Sequence, residues 1–268
     1  MKRNSLFWGM AFILFGALMM LQTLGLMHFN IGRLFWPAMV ILLGVWVLWQ
    51  AQSGGTTLDS ENIAIPLDGA RQARVVLHHG AGVLHLRAGT SPTNLLEGTF
   101  DGGVEQKSQR VGENLELSLK VPQVGFPFIV FPGIFSPDNR IHWDMALTTA
   151  VPLALEIRTG ANDAHLDLSD LQVTALEIHT GASATEVDLP KQVEFTRVKI
   201  NAGAASVILN VPDEIAVRMC VDGGLLDVEA DPTRFPKAGN VYQSIEYETA
   251  PQRVEISVDA GVGSITLR

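Results

Sequence analysis

The sequence has a single cysteine, Cys220, in 268 residues. One thiol excludes an internal disulfide bond and any zinc site built from several cysteines. The chain also lacks the G-x-S-x-G nucleophile turn, the H-E-x-x-H zinc motif and the phosphate-binding P-loop. No base stands at a fixed spacing from Cys220, so we interpret this thiol as a bystander. These absences favour a scaffold or binding protein over an enzyme, and we predict no cofactor, no metal and no catalytic residue.

Basic residues are scarce as well. The chain has 19 Lys and Arg against 28 Asp and Glu, and its formal net charge is −9. The first 50 residues contribute +3, from Lys2, Arg3 and Arg33, so residues 51–268 carry −12. A domain with that charge is repelled by nucleic acid, which we therefore do not expect as a partner.

Two long apolar runs lie at the start of the chain, Ser5–Met27 and Leu34–Trp49. The first has 23 residues without a charge, and about 20 are enough to cross a bilayer. We predict a hairpin of two transmembrane helices over residues 1–52, with the plasma membrane as its location and the lipid bilayer as a partner. Because Lys2 and Arg3 favour a cytoplasmic start, two crossings place the C-terminal domain in the cytoplasm by parity. A cleaved signal peptide followed by a buried helix is the alternative, but the first run is long for a signal core.

A pattern of strand, small-residue turn and strand recurs five times between residues 155 and 268. Three of its turns contain Gly160, Gly181 and Gly203, which are spaced 21 and 22 residues apart. A period near 20 indicates stacked coils, in which each unit buries its apolar face against its neighbours. The fold class that we predict for this part of the chain is an all-β, parallel β-solenoid.

The repeats also divide the chain. A sixth copy stands upstream at 75–88, so we predict a polar linker at 53–70 and a solenoid domain at 71–268 with an insertion at 92–150. Within a repeat, apolar residues alternate with polar ones. A slip of one residue would turn every inward side chain towards water, so this alternation fixes the register.

Two segments interrupt the repeats. The insertion begins with a predicted hairpin, residues 104–110 and 115–121, and the second interruption contains a predicted strand at 242–247. The histidines His78, His79 and His85 surround one turn, and we interpret them as exposed strand residues rather than metal ligands, because strand alternation separates the first two.

Aligning the repeats on their turns produces a column of polar residues. The column comprises Asp167, Asp188, Asn210 and Glu229, all expected to point outward on successive coils. Neighbouring carboxylates about 4.8 Å apart repel, and a bound cation would offset that repulsion. A solvated face that keeps the coils soluble explains the same pattern, and we favour it. The spacing of the acids also suits a glycosidase, but any such column would supply that spacing.

Residues 121–137 form an apolar segment with four prolines, VPQVGFPFIVFPGIFSP. A large apolar loop typically marks an interface, and the predicted anchor brings it close to the bilayer. We predict either that it contacts the membrane or a partner helix, or that it caps the open end of the solenoid. The side chains concerned are Phe126, Phe128, Ile129, Phe131, Ile134 and Phe135.

Three stretches resemble a known family. They are the WPAMVILLGVWVLW run of the membrane region, IHWDMALTTAVPLALEIRTGA at 141–161 and YQSIEYETAPQRVEISVDAGVGSITLR at 242–268. The chain resembles LiaF-like cell-wall-active antibiotic response proteins, with a LiaI/LiaF-type membrane region and a toastrack-like β domain. The resemblance implies a bacterial membrane protein that modulates a sensor histidine kinase responding to envelope stress. The best-known members have about four membrane crossings, whereas this chain has two apolar runs.

Taken together, these features predict a membrane-anchored, non-enzymatic regulator or scaffold that modulates a membrane partner such as an envelope-stress sensor kinase. Exposed terminal coils also make a homo-oligomer an expected form. The main alternative is a module that binds an envelope ligand or lipid, and a carbohydrate-active β-helix enzyme is the third possibility, since a fold does not set a function.

Overall fold

The computed structural model describes residues 60–122 and 141–268. Those ranges contain no helix with the length and apolar character that a membrane crossing requires. Their strands join into one sheet of 13 members. The strands are β1 (Ser60–Pro66), β2 (Gln72–Ala88), β3 (Asn94–Asp101), β4 (Glu105–Val111), β5 (Asn114–Lys120), β6 (His142–Leu147), β7 (Leu153–Asp167), β8 (Val173–Asp188), β9 (Phe195–Asn210), β10 (Ala216–Ala230), β11 (Lys237–Ala238), β12 (Val241–Gln243) and β13 (Arg253–Leu267).

Each repeat is one long strand that bends at its glycine, rather than two strands separated by a turn. Strand β7 has 15 residues, and both of its halves pair in parallel with β8. Its inward side chains have odd numbers before Gly160, as at Leu155 and Ile157, and even numbers after it, as at Ala164 and Leu166. The change in alternation at the glycine turns both apolar halves towards one core, as the sequence pattern predicts.

The glycines of successive coils stack on one another at the bend. A Cβ atom added to Gly160 would lie 2.7 Å from the carbonyl oxygen of Gly80, and one added to Gly181 would lie 2.8 Å from that of Gly160. The same contact, at 2.7 Å, recurs along the stack through Gly203, Gly261 and Gly224. The repeat therefore requires glycine because neighbouring backbones approach closely here, and none of these glycines has a positive φ.

The coils do not stack in chain order. The sheet runs β2–β7–β8–β9–β13–β10, so the C-terminal strand lies between β9 and β10. The segment between β10 and β13 forms the short antiparallel strands β11 and β12, and β12 pairs with the first half of β10. The strand predicted at 242–247 is therefore shorter and starts one residue earlier, because residues 245–249 form a turn.

At the other end of the sheet, the insertion supplies β3 to β6, and β1, which lies in the segment predicted as a linker, adds the outermost strand. The predicted hairpin is confirmed as β4 and β5, and β5 pairs with the first half of β2. Strands β6, β3 and β1 extend the sheet from the second half of β2. Trp143 and Phe100 pack edge to face in this part of the core, with ring centroids 5.1 Å apart.

Candidate functional site

The predicted acidic column is only partly brought together. Asp167 pairs with Asp188, and Asp188 pairs with Asn210, so these three residues do lie on successive coils. Glu229 does not continue the column, because β13 lies between β9 and β10 and Glu229 pairs instead with Thr266. The prediction that the four residues occupy successive coils was therefore wrong for Glu229.

Arg268 takes the place expected for Glu229. Its Nε donates to Oδ1 of Asn210 at 2.7 Å, and its Nη2 lies 3.0 Å from Oε1 of Glu186. The Asn210 amide in turn donates to Oδ1 of Asp188 at 2.6 Å and to Glu186 at 3.0 Å. The hydrogen bond from Asn210 is the largest cause that holds the pKa of Glu186 below its ordinary value. His165 completes the cluster, with its ring nitrogens 3.5 Å from Glu186 and 3.8 Å from Asp188.

Within this cluster, the Arg268 guanidinium and the Asn210 amide offset the negative charge of Glu186 and Asp188. Within residues 60–122 and 141–268, no group of three His, Cys, Asp or Glu side chains is arranged to hold a metal ion. Asp167 is occupied separately, since its Oδ1 accepts hydrogen bonds from the backbone and hydroxyl of Ser169 at 3.2 and 2.5 Å. The geometry supports the interpretation of the column as a polar outer face.

The three histidines have three different environments. His85 is exposed, with its ring 6.2 Å from that of His165, and His78 is half-buried. His79 is fully buried, so the expectation of an exposed side chain was wrong there. His79 continues the alternation of the buried residues Val75 and Leu77, so its inward position could have been predicted from the sequence.

No well-formed hydrogen bond reaches either ring nitrogen of His79, and the indole nitrogen of Trp143, whose ring centroid is 5.0 Å away, is also unpartnered. Burial lowers the pKa of His79 from 6.5 to about 4, and the nearby Ile141 carbonyl opposes that shift only in part. His79 is therefore neutral in the folded protein at neutral pH.

A charged side chain that the sequence analysis did not single out lies on the outer face of the first halves of the coils. The Glu156 side chain is 8% exposed and lies between Arg74, at 2.6 Å, and Arg158, at 2.5 Å. The hydrogen bond from Arg74 is the main cause that lowers the pKa of Glu156. The sequence signal for this ion-pair cluster of Arg74, Glu156 and Arg158 was the Glu-Ile-Arg alternation on β7, which places Glu156 and Arg158 on the same face.

A shallow open groove of about 460 Å³ runs across four coils beside the glycine stack. Polar side chains dominate its lining, and its charged members are Arg158 on β7 and Asp259 on β13, with His179 between them. His179 is already paired, with Nε2 3.1 Å from Glu177. The groove offers a surface for contact rather than an enclosed reaction chamber.

The outer end of the sheet leaves part of β10 uncovered. Its first half pairs with β12 through Arg218–Cys220, whereas residues 222–230 have β13 on one side and no other strand of the described chain on the second side. Leu225, on this segment, is 77% exposed. This open strand edge is the candidate site with the most distinctive geometry. The apolar loop side chains from Phe126 to Phe135 lie outside the described residues, and their role stays a prediction.

The fold and these surfaces define a bent-strand β-solenoid with polar outer faces. Residues 53–210 match the family model described as the N-terminal domain of toast_rack, DUF2154, and residues 6–48 match the LiaI-LiaF-like transmembrane region. The chain belongs to the toast_rack family, as a LiaF-like protein that joins a transmembrane region to a toast-rack domain. The resemblance predicted from the sequence is thus confirmed.

Among solved structures, a candidate cell adhesion protein from Clostridium sporogenes ATCC 15579 is similar, with 22% identity and a TM-score of 0.68. The match covers 78% of this chain and 98% of that chain, and at this identity it shows the fold alone. A candidate adhesin from Bacteroides fragilis NCTC 9343 has 8% identity over 80% of this chain and 98% of its own, with a TM-score of 0.29, which is too low to argue from. A comparison with curated proteins finds no match.

Proposed function

We propose that this protein is a membrane-anchored, non-enzymatic regulator or scaffold whose β domain modulates a membrane partner, such as the sensor histidine kinase of an envelope-stress response. The observation that carries the proposal is the union, on one chain, of a LiaI-LiaF-like transmembrane region at 6–48 and a toast-rack domain that begins at 53. Two helices over residues 1–52 anchor the protein in the plasma membrane, and the β domain lies in the cytoplasm.

The surfaces of the β domain support contact rather than chemistry. Glu156 and Glu186 on the outer faces are paired with basic and amide side chains, so they stabilise a charged surface and are not held ready to accept a proton. A domain tethered beside its partner acts at a high effective concentration. It shifts the partner's equilibrium by binding one conformational state better than the other.

The test is an envelope-stress reporter in the host bacterium, measured with and without a cell-wall-active antibiotic. We expect deletion of the chain to change the basal or induced response at least threefold, and the full chain to restore it. A chain without residues 1–52 should fail to restore it, because the domain is then no longer concentrated at the membrane. Unchanged reporter output, together with no cross-link between the full chain and any sensor kinase, would refute the proposal.

The same strains address the alternative functions. Saturable binding of a lipid-linked wall precursor to the full chain in nanodiscs, without an effect on the reporter, would favour a module that binds an envelope ligand. Turnover of a glycan that Asp167→Asn or Asp188→Asn abolishes would favour an enzyme. The hydrogen bonds that already occupy these two carboxylates argue against that last outcome.

A further inference from the structure

The second half of β10, residues 222–230, is an open strand edge. On one side it pairs in parallel with β13, from Asp222 beside Asp259 to Ala230 beside Leu267. On the other side, β12 ends its pairing at Cys220, and no further strand of the described chain follows. Alternate backbone N–H and C=O groups along this segment therefore face away from the sheet without a strand to receive them.

The core is also incomplete at this edge. Ile265 and Leu267 on β13 are each 1% exposed, as expected for inward side chains with a coil on both sides. Their partners in the next coil, Val228 and Ala230, are half-exposed, and so is Leu226. One further strand with apolar side chains at alternate positions would complete this layer.

Other edges of the sheet are protected against added strands. Strand β4 is exposed along its whole length and carries Lys107 and Arg110, and β1 ends at a proline, Pro66. Lysine and proline on an edge are common devices against unwanted pairing. The segment 222–230, with the sequence DGGLLDVEA, has neither a lysine nor a proline.

The charge of the edge indicates which kind of strand would fit. Asp227 and Glu229 point outward next to Ser264 and Thr266 of β13, and Asp222 and Asp231 flank them. Residues 222–231 contain no basic side chain. Unlike Glu156 and Glu186, Asp227 and Glu229 lie beside neutral side chains on the neighbouring strand, so a partner would have to provide the cation.

A second copy of this edge fits poorly. In an antiparallel pairing centred on Val228, Asp227 of one copy would lie directly opposite Glu229 of the other, and a pairing centred on Asp227 would set that residue opposite itself. Like charges in directly opposite positions destabilise a strand pair. The charge complementarity therefore favours a different chain with basic residues.

We propose that the second half of β10 accepts an extended segment of a partner protein as an added strand. Apolar side chains at alternate positions would pack on Leu226 and Val228, and lysine or arginine at the positions between them would face Asp227 and Glu229. Strand addition obtains its affinity from main-chain hydrogen bonds and its specificity from alternate side chains. This inference rests on the proposed function, since it assigns the surface through which the β domain contacts its partner.

The test measures binding of a fluorescent probe peptide to the full chain in detergent micelles. The probe is a capped nonapeptide of alternating valine and lysine. One control peptide has the same composition with its valines and lysines in separate blocks, and a second alternates valine and glutamate. We expect saturable binding of the first peptide that weakens as salt rises, and at least tenfold weaker binding of both controls.

The matched variants reverse two charges each. Asp227→Lys with Glu229→Lys should weaken binding of the valine-lysine peptide at least tenfold and strengthen binding of the valine-glutamate peptide. Glu105→Lys with Glu116→Lys changes the net charge equally but lies on β4 and β5, at the opposite end of the sheet, and should alter affinity by less than twofold. Circular dichroism before each titration establishes that the variants are folded.

Four outcomes would overturn the proposal. Equal binding of the block peptide would indicate general attraction to an acidic protein, and equal loss in both double variants would indicate the same. Concentration-dependent dimers in sedimentation, abolished by Asp227→Lys with Glu229→Lys, would assign the edge to a second copy. If peptide binding fails while the reporter still responds to the chain, the strand-addition site is refuted and the regulatory function stands.

Discussion

Replacing Gly181 by alanine should destabilise the protein by about 2–4 kcal/mol, whereas the same change at Gly80 should be harmless. A Cβ on Gly181 would lie 2.8 Å from the backbone carbonyl oxygen of Gly160, where ordinary contact begins at 3.4 Å. The two coils must therefore separate by about half an ångström at the bend. Overpacking of this kind costs about 1–3 kcal/mol, and each weakened hydrogen bond beside the bend adds about 1 kcal/mol.

Gly80 provides the matched control because it occupies the same position in the first coil. A Cβ there meets nothing within 4 Å, and neither glycine has a positive φ. Alanine at Gly80 should even stabilise the protein by about 0.4–1 kcal/mol, because it restricts the unfolded chain.

The assay is urea unfolding of a fragment spanning residues 53–268, followed by far-ultraviolet circular dichroism. With a slope of about 1–3 kcal/mol per molar urea, Gly181→Ala should lower the midpoint by roughly 1–2 M. The slope itself should stay unchanged, since both variants bury the same surface. Equal midpoints for the two alanine variants would refute the stacking of glycine on glycine, and with it the explanation for the repeat.

Three further predictions follow from titratable and polar side chains. The free energy of unfolding should fall by up to about 3 kcal/mol as the pH drops from 6.5 to 4. The reason is that the unfolded chain binds a proton on His79, whereas the folded protein, in which the pKa of His79 is about 4, does not. In the His79→Leu variant, the urea midpoint should therefore depend less on pH over that range. Burial and the neighbouring Asp222 carboxylate raise the pKa of Cys220, so maleimide should label this thiol slowly at pH 7. Residue 245 is 77% exposed, so Ile245→Cys in a Cys220→Ser background should be labelled quickly and report the side of the membrane. Arg74→Met should lower the free energy of unfolding by about 1–2 kcal/mol at pH 7, since it removes a charged partner of the buried Glu156 carboxylate. This loss should shrink in acid as the carboxylate is protonated. A loss that does not depend on pH would contradict the pairing.

The fold was largely accessible from the sequence because its signal is local and repeated. Alternation alone predicts the burial of Leu155, Ile157, Leu166 and Leu168, and the same alternation recurs in each coil. The spacing of the glycines located the bends. What the pattern could not distinguish was a turn from a close backbone approach, because a glycine satisfies both requirements.

The candidate site was less accessible because it depends on which coils are neighbours. Asp167, Asp188 and Asn210 were aligned correctly by counting from their glycines, since β7, β8 and β9 stack in chain order. Arg268 was missed because its contacts come from a strand that arrives 58 residues later in the chain. The burial of His79 was available from its alternation, but its side chain type favoured an exposed position.

The order of the last two coils decides the charge of the open edge. The repeats of β10 and β13 share the stacked glycine at the bend, Gly224 and Gly261, and the same apolar alternation, but β13 alone has a glycine, Gly263, where the chain approaches Ala205 of β9. Had β13 been the terminal coil, the open edge would be GVGSITLR, which has no acid and ends in Arg268. Because β13 is inserted instead, its arginine compensates the acids of the inner coils, and the acidic segment DGGLLDVEA is left at the edge. The position of β13 between β9 and β10 therefore completes the polar cluster, and it also leaves the open half of β10 acidic and selective for a basic partner.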